Sequence, residues 1–320
     1  MGLNYLGINI SHDASVAYFK DNKLINVWYE DRYNYKKHWE PVVGDSFYLS
    51  ILKNINFKPD FVCYGSYDKR GSWGIGREEE SDEGIIEHIQ RQLDNPPYFF
   101  TPDEHHVYHA LCGKHFSPFD EAMAIVIDAG GAQTHKPGYQ EMQSIYYVNK
   151  TIVKKLWCHY SCRSFLELDR TWKHGYAPIV VKHIGGTECE FSALSVGANE
   201  FNRVGSQLGF LGGKDAGKVM GLAAYADSKT KYDLDYNKVK QAKELQEETF
   251  EQTCEIIEKA YKYKKLDNFI LSGGYFLNCT NNFKYVKRYP KLNFFVDPIA
   301  WDGGISIGAH LYYHEYNKEC

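Results

Sequence analysis

Long apolar runs are missing from this chain, and no uncharged stretch reaches the about 18 to 20 residues that a bilayer-spanning helix needs. Paired cysteines are missing as well. The eight present (Cys63, Cys112, Cys158, Cys162, Cys189, Cys254, Cys279, Cys320) are scattered without a CxxC spacing, which argues against a disulfide framework or a zinc ribbon. Most read as small core fillers. A positive surplus is absent: 37 Lys and Arg stand against 41 Asp and Glu, for a net charge of -4 and a pI near 6.4. No global field then favours nucleic acid or an acidic membrane, although a local basic groove is still compatible. The first residues, MGLNYLGINISHD, show no charged leader before an apolar core, and Leu6 breaks the myristoylation pattern. The expectation is a cytoplasmic protein with no membrane partner.

What is present suffices for a sizeable core: 320 residues, 43% hydrophobic and 24% charged, with room for two lobes. An apolar strand (Leu6–Ile10), a polar turn, a second strand (Ala14–Phe19), an Asp-Asn turn at 21 and 22, and a third strand (Leu24–Tyr29) open the chain. The same grammar returns at residue 122: AMAIVID, a loop AGGAQ, a strand near QSIYYV, an Asn-Lys turn and TIVKKLW. The repetition suggests a duplicated α/β unit. Two lobes that each open with a strand, a polar turn and a strand have the layout of the actin, Hsp70 and sugar-kinase (ASKHA) class, in which the turns face an interlobe cleft. A chance repeat of hairpins is the plain alternative. The expected lobes are residues 1–118 and 119–320. EEESDEGIIEHIQRQL reads as an amphipathic helix with an acidic start, and the stretch from 228 to 262 as a charged connector followed by a scaffold helix with Phe250, Cys254, Ile257 and Ala260 on one face.

Histidines are dense between residues 105 and 115, and no other stretch stands out in this way. Thr101-Pro102-Asp103-Glu104 predicts a helix start, with Thr101 as cap, Pro102 at the first position and Glu104 closing a capping box. On that helix His105 and His109 are four residues apart and share a face, so two imidazoles can reach one metal ion. Histidines at this spacing are also common without a metal. His106 points elsewhere and reads as a hydrogen-bonding neighbour. Asp128 ends a buried strand and is followed by Gly130 and Gly131, where α/β proteins place ligands, or it caps its own loop. Lys218, beside Gly217 in GKVMGLAAYA, offers a cation for a phosphate or carboxylate, or is a surface lysine. In LSGGYFLNCTNN a strand runs through Gly273 and Gly274 into a helix, and Asn278 and Asn282 lie one turn apart on it, suited to a base or sugar. Asp302 precedes Gly-Gly and a small-residue helix. Two histidines and two aspartates would make a mixed nitrogen and oxygen site suited to Fe, Mn or Zn.

In order, GINISHDAS, HHVYH, SPFDEAMAIVIDAGG, GKVMGLAAY, SGGYFLNC and WDGGISIGA resemble the Kae1-like domain of the O-carbamoyltransferases of the nodulation and antibiotic-tailoring type, over nearly the whole chain. The resemblance implies an iron held by His105, His109, Asp128 and Asp302. It further implies carbamoyl adenylate, made from ATP and carbamoyl phosphate, in the cleft against Gly130, Gly131, Gly273, Gly274, Asn278 and Asn282. Lys218 would lie near its polar groups, and His12 and Asp13 where the acceptor hydroxyl is activated. An imidazole ordinarily titrates near neutral pH and can take that proton as general base; equally, His12 can be a turn residue capping its loop. The YrdC-like domain that makes the adenylate in full-length members is not expected in this sequence, which implies a separate YrdC-like partner or another source. Such short forms resemble bacteriophage-encoded members, for which the acceptor would be a hydroxymethylated pyrimidine, 5-hydroxymethylcytosine, of viral DNA; a small alcohol is the other class. Two further readings stand beside it: a tRNA threonylcarbamoyl transferase, which shares the HxxxH helix, and a nucleotide-binding module without catalysis.

Overall fold

The computed structural model describes residues 2–36, 50–66, 82–101, 104–132, 139–162, 180–192, 197–227 and 235–316. β1 (Asn4–Asn9), β2 (Ser15–Lys20) and β3 (Lys23–Tyr29) form an antiparallel meander followed by the short α1 (Asp31–Asn34). The Asp21 and Asn22 turn joins Lys20 to Lys23, with φ of 49° and 61°, the left-handed pair that a two-residue hairpin requires and that Asp and Asn tolerate. β4 (Phe61–Gly65), α2 (Asp82–Gln92) and β5 (Tyr98–Phe100) complete a sheet of order β3-β2-β1-β4-β5, in which β4 and β5 run parallel to β1. α2 covers the helical part of the acidic stretch, whose residues 78–81 lie outside the described set.

After α3 (His105–Phe116) the plan repeats. β6 (Ala122–Ile127), β7 (Tyr139–Val148) and β8 (Val153–Cys162) form the second meander. β9 (Val180–Ile184) and β10 (Thr187–Ser192) extend its edge, and α4 (Ala198–Gln207), α5 (Ala216–Ala223) and α6 (Tyr236–Tyr263) lead to β11 (Asn268–Ser272). α7 (Cys279–Arg288), β12 (Asn293–Val296) and α8 (Ile305–Leu311) follow. The order β12-β11-β6-β7-β8-β10-β9 contains the first sheet's order, with β11 and β12 parallel to β6.

Side-chain alternation divides the molecule into layers. On β6, Met123, Ile125 and Ile127 face a core with Phe201, Val219 and the inner stripe of α6, including Phe250, Cys254, Ile257 and Ala260. Ala122, Ala124 and Val126 face the opposite way, onto α3 and α8. A strand buried on both faces accounts for the unbroken apolar run of AMAIVI. Leu6, Ile8, Val62 and Tyr64 of the first sheet pack against Ile85, Ile86 and Ile89 of α2, while Ala17, Phe19 and Cys63 face α3 and α8. Those two helices therefore lie between the sheets, and they pack on each other. Glycine makes this approach possible: a Cβ on Gly7 would collide with the Ser306 carbonyl, and one on Gly308 with the Tyr108 carbonyl.

One local expectation is corrected. α3 begins at His105 with Glu104 at the cap position and no side-chain cap, so Thr101 does not cap it; Pro102 and Asp103 lie outside the described residues. The Thr101 carbonyl instead accepts the Tyr108 hydroxyl at 3.3 Å. The helix is buried all along residues 105–113, so packing on both sheets holds it without a cap.

Candidate metal centre and cleft

The layer between the sheets brings four polar side chains to one point. His105 and His109 project from the first two turns of α3, Asp128 stands just past the end of β6, and Asp302 opens the short 3₁₀ turn before α8. One donor atom from each lies within 4.8 Å of every other, and all four residues are buried. His105 Nε2 is 3.3 Å and His109 Nε2 is 3.2 Å from Asp128 Oδ2; from Asp302 Oδ1 they are 3.7 and 3.4 Å. Ligands about 2.1 Å from a central ion in tetrahedral array stand about 3.4 Å apart, and the four separations scatter around that value.

Hydrogen bonding adds a second argument for a cation. His105 Nδ1 is 3.3 Å from the Ser66 carbonyl, which can only accept, so Nδ1 carries the proton. In a neutral ring Nε2 then presents a lone pair to the Asp128 carboxylate, an arrangement that needs a positive centre between the two atoms. Without a metal, protons serve: burial would lower His109, but hydrogen bonds to Asp128 and Asp302 outweigh it and push it up to about 10. Burial would likewise raise Asp128, and the same two histidines hold it well below the usual carboxylate range. Two carboxylates and two neutral imidazoles match the charge of a divalent ion. The residues present fit the implied metal.

The turn after β1 meets this cluster at Asp302. His12 Nε2 lies 3.1 Å from Asp302 Oδ2, the oxygen pointing away from the histidine pair, and His12 is partly exposed. Asp13, with φ 57°, is 3.9 Å from His12. Asn9 positions both strands of this junction, because its Nδ2 donates to the carbonyls of Asp302 (3.0 Å), His12 (3.2 Å) and Asp13 (3.3 Å). Ser15 adds a bond to the Gly303 carbonyl at 2.9 Å. Asn9, Ser15 and Ser66 escaped the reading of the sequence. The available signal for Asn9 was a polar residue closing the otherwise apolar strand YLGIN.

A cavity of about 1020 Å³ opens above the cluster, with His12, Asp13, Asp128 and Asp302 in its wall. Gly130, Gly274 and Asn278 also line it. Gly131 and Gly273 stand behind: the Gly131 N–H donates to the Glu141 carbonyl at 2.7 Å, and Gly273, with φ +95°, packs where a Cβ would strike the Ile127 backbone. Asn278 is mostly engaged in structure, capping α7 through Asn281 N and pairing with Gln246. Asn282 donates to the Phe276 carbonyl at 2.7 Å and is not in the cavity wall. Lys218 is exposed, 2.8 Å from Asp215, and also lies outside the wall; Lys214, one helical turn earlier, lines it together with Arg32, Tyr29 and Trp301. The expectation of Lys218 at the site thus meets a different lysine there. His106 does act as a neighbour: its Nδ1 is 2.7 Å from Ser144 Oγ, which donates to Glu141, and burial pushes it down to about 3.

Fold and site define a class: two α/β lobes of the actin, Hsp70 and sugar-kinase type closing on a cleft. No known protein-family profile matches the chain. Among solved structures it is similar to full-length HypF in its phosphate- and nucleotide-bound form, with a TM-score of 0.59 and 12% identity over 98% of this chain and 56% of that one. It is also similar to HypF from T. kodakarensis (TM-score 0.55, 12% identity, 100% and 50% covered) and to a ROK hexokinase from Thermus thermophilus (TM-score 0.51, 11% identity, 97% and 98% covered). The chain spans about half the length of the HypF chains it matches. At these identities the likeness establishes the fold. Among the described residues no helix is long and apolar enough to cross a membrane.

Proposed function

We propose that the protein is a metal-dependent O-carbamoyltransferase that moves a carbamoyl group from carbamoyl adenylate to an acceptor hydroxyl, with 5-hydroxymethylcytosine of viral DNA as the acceptor. A fold shared with sugar kinases does not choose a chemistry by itself. The observation that carries the reading is the junction at Asp302, whose one oxygen joins the buried histidine cluster while the other meets His12 in the cleft wall. Sugar phosphorylation gives no reason for a buried His-His-Asp-Asp set at this position.

His105, His109, Asp128 and Asp302 would hold iron, with Mn or Zn as the other ions suited to this donor set. The bound ion supplies Lewis-acid charge for oxygens that become more negative in the transition state. The rest falls to the chain. Backbone at Gly130 and Gly274 leaves room for the nucleotide's phosphate, and Lys214 offers a cation on the same wall. The acceptor oxygen attacks the carbamoyl carbon, the new C–O bond forms, the anhydride C–O bond to phosphate breaks, and AMP leaves with that electron pair. His12 takes the hydroxyl proton, and Asp302 Oδ2, 3.1 Å from the ring, stabilises the resulting imidazolium. Tyr29 and Trp301, with ring centroids 5.7 Å apart in the wall, present aromatic surface for a pyrimidine.

The test is transfer followed by mass spectrometry. Iron-loaded protein receives ATP and carbamoyl phosphate, with and without a YrdC-type partner to supply the adenylate, against hydroxymethylcytosine as nucleotide and in DNA and against small alcohols. One added carbamoyl mass, lost in His105→Ala, is the expected result. Transfer to no acceptor, with metal and nucleotide bound, would instead favour a binding module.

A further inference from the structure

The chain holds a second cluster of metal-binding side chains, which the density of histidines around residue 105 masked in the sequence. Cys63 on β4, His310 on α8 and His314 in the π-helical turn Tyr312–Tyr316 each bring one donor atom within 4.8 Å of the other two. Cys63 and His310 are fully buried and His314 is partly so. Both imidazoles carry a buried nitrogen without a hydrogen-bond partner, Nδ1 of His310 and Nε2 of His314. A buried polar atom left unmet is costly, so two in one cluster call for an explanation.

Aromatic side chains surround the two imidazoles. Phe19 stacks on His310 at 3.7 Å between ring centroids, Tyr5 lies 4.5 Å from the His314 ring, and Phe61 stands edge-on to it at 5.9 Å. The two imidazoles are 4.4 Å apart. Among the described residues no carboxylate belongs to the cluster. One thiol and two imidazoles in an aromatic shell are the donor set of a soft, thiophilic ion, unlike the mixed set with two carboxylates under the cleft.

We propose that Cys63, His310 and His314 form a second metal site that takes Zn²⁺. On binding, the Cys63 S–H bond breaks, its proton leaves to solvent, and the sulfur–metal bond forms with the thiolate. The site fastens β4 to the chain that follows α8. Asp302 stands at the other end of that same helix, so the ion fixes the helix whose start serves the cleft.

Cobalt reads the two sites separately, because only the thiolate site gives a near-ultraviolet sulfur-to-cobalt charge-transfer band. Titrating the whole protein with Co²⁺ should produce that band with one equivalent, and His105→Ala should keep it. Cys63→Ala should abolish it, Cys279→Ser, at an exposed cysteine, should not, and His314→Ala should weaken binding at least about tenfold. Should Cys63→Ala fail to fold, His314→Ala at the partly exposed end carries the test. Zn²⁺ should displace the cobalt and raise the unfolding temperature of the wild type but not of the His314 variant. Absence of the band in the wild type, or its persistence in both Cys63→Ala and His314→Ala, would overturn the proposal.

Discussion

α3 and α8 are counterparts: each follows the last strand of its repeat, each crosses to lie between the sheets, and each leads to two histidines four residues apart. Their company differs. His105 and His109 meet two carboxylates beside a cavity, and behind them His106, Ser144, Glu141 and Lys155 form a polar chain. His310 and His314 meet a thiol inside a ring of aromatic side chains. The same spacing on a helix therefore sets only the possibility of metal binding; carboxylate or thiolate neighbours, and access to a cavity, decide hard against soft ion and chemistry against fastening.

The sharpest break in this comparison is removal of a cleft ligand. His109→Ala should lower carbamoyl transfer about 10³-fold or more and reduce bound iron, measured by metal analysis beside turnover, while leaving zinc at the Cys63 site. His12→Ala should cost about 10² to 10³-fold in kcat and leave iron content unchanged, since His12 touches Asp302 by its outer oxygen. An equal loss of iron would make His12 part of the metal's support instead of a proton acceptor.

Two changes probe how the helices are held. Gly308→Ala, which would press a methyl group into the Tyr108 backbone, should destabilise by about 3 kcal/mol and loosen both clusters, read by the denaturant midpoint. Glu141→Gln leaves the mostly buried Lys155 without its 2.9 Å partner and should cost about 2 to 3 kcal/mol at neutral pH. Burial alone would raise Glu141, but Lys155, His106 and Ser144 outweigh it and hold it below the usual carboxylate range. A folded-state value depressed in this way contributes stability above the unfolded value that is lost as pH falls toward the folded one. The wild type should therefore lose stability more steeply in acid than Glu141→Gln. Smallest of all, Lys218→Ala should change transfer less than about twofold, because an exposed lysine paired with Asp215 contributes little, whereas Lys214→Ala should weaken nucleotide binding.

Much of the fold was legible because the meanders are written locally. Short apolar runs mark β1 and β2, Asp21 and Asn22 mark the turn from β2 into β3, and the doubly buried β6 shows as a continuous apolar run. The histidine helix and Asp128 were legible for the same reason, being close in sequence. Placement across the fold was not. Asn9 reaches Asp302 over a separation of 293 residues, and Cys63 reaches His310 only because α8 crosses to the first sheet. Lys218 and Lys214 share one short segment, and only the course of the chain through Gly212–Asp215 into α5 decides which lysine faces the cavity.

The central claim is that α3 and α8 meet to hold a metal at the floor of the cleft, beside His12. Anomalous diffraction at the iron edge from iron-loaded crystals tests it most directly. The account predicts a peak bounded by His105 Nε2, His109 Nε2 and the carboxylates of Asp128 and Asp302. Iron-saturated protein with no peak among those four residues would contradict it.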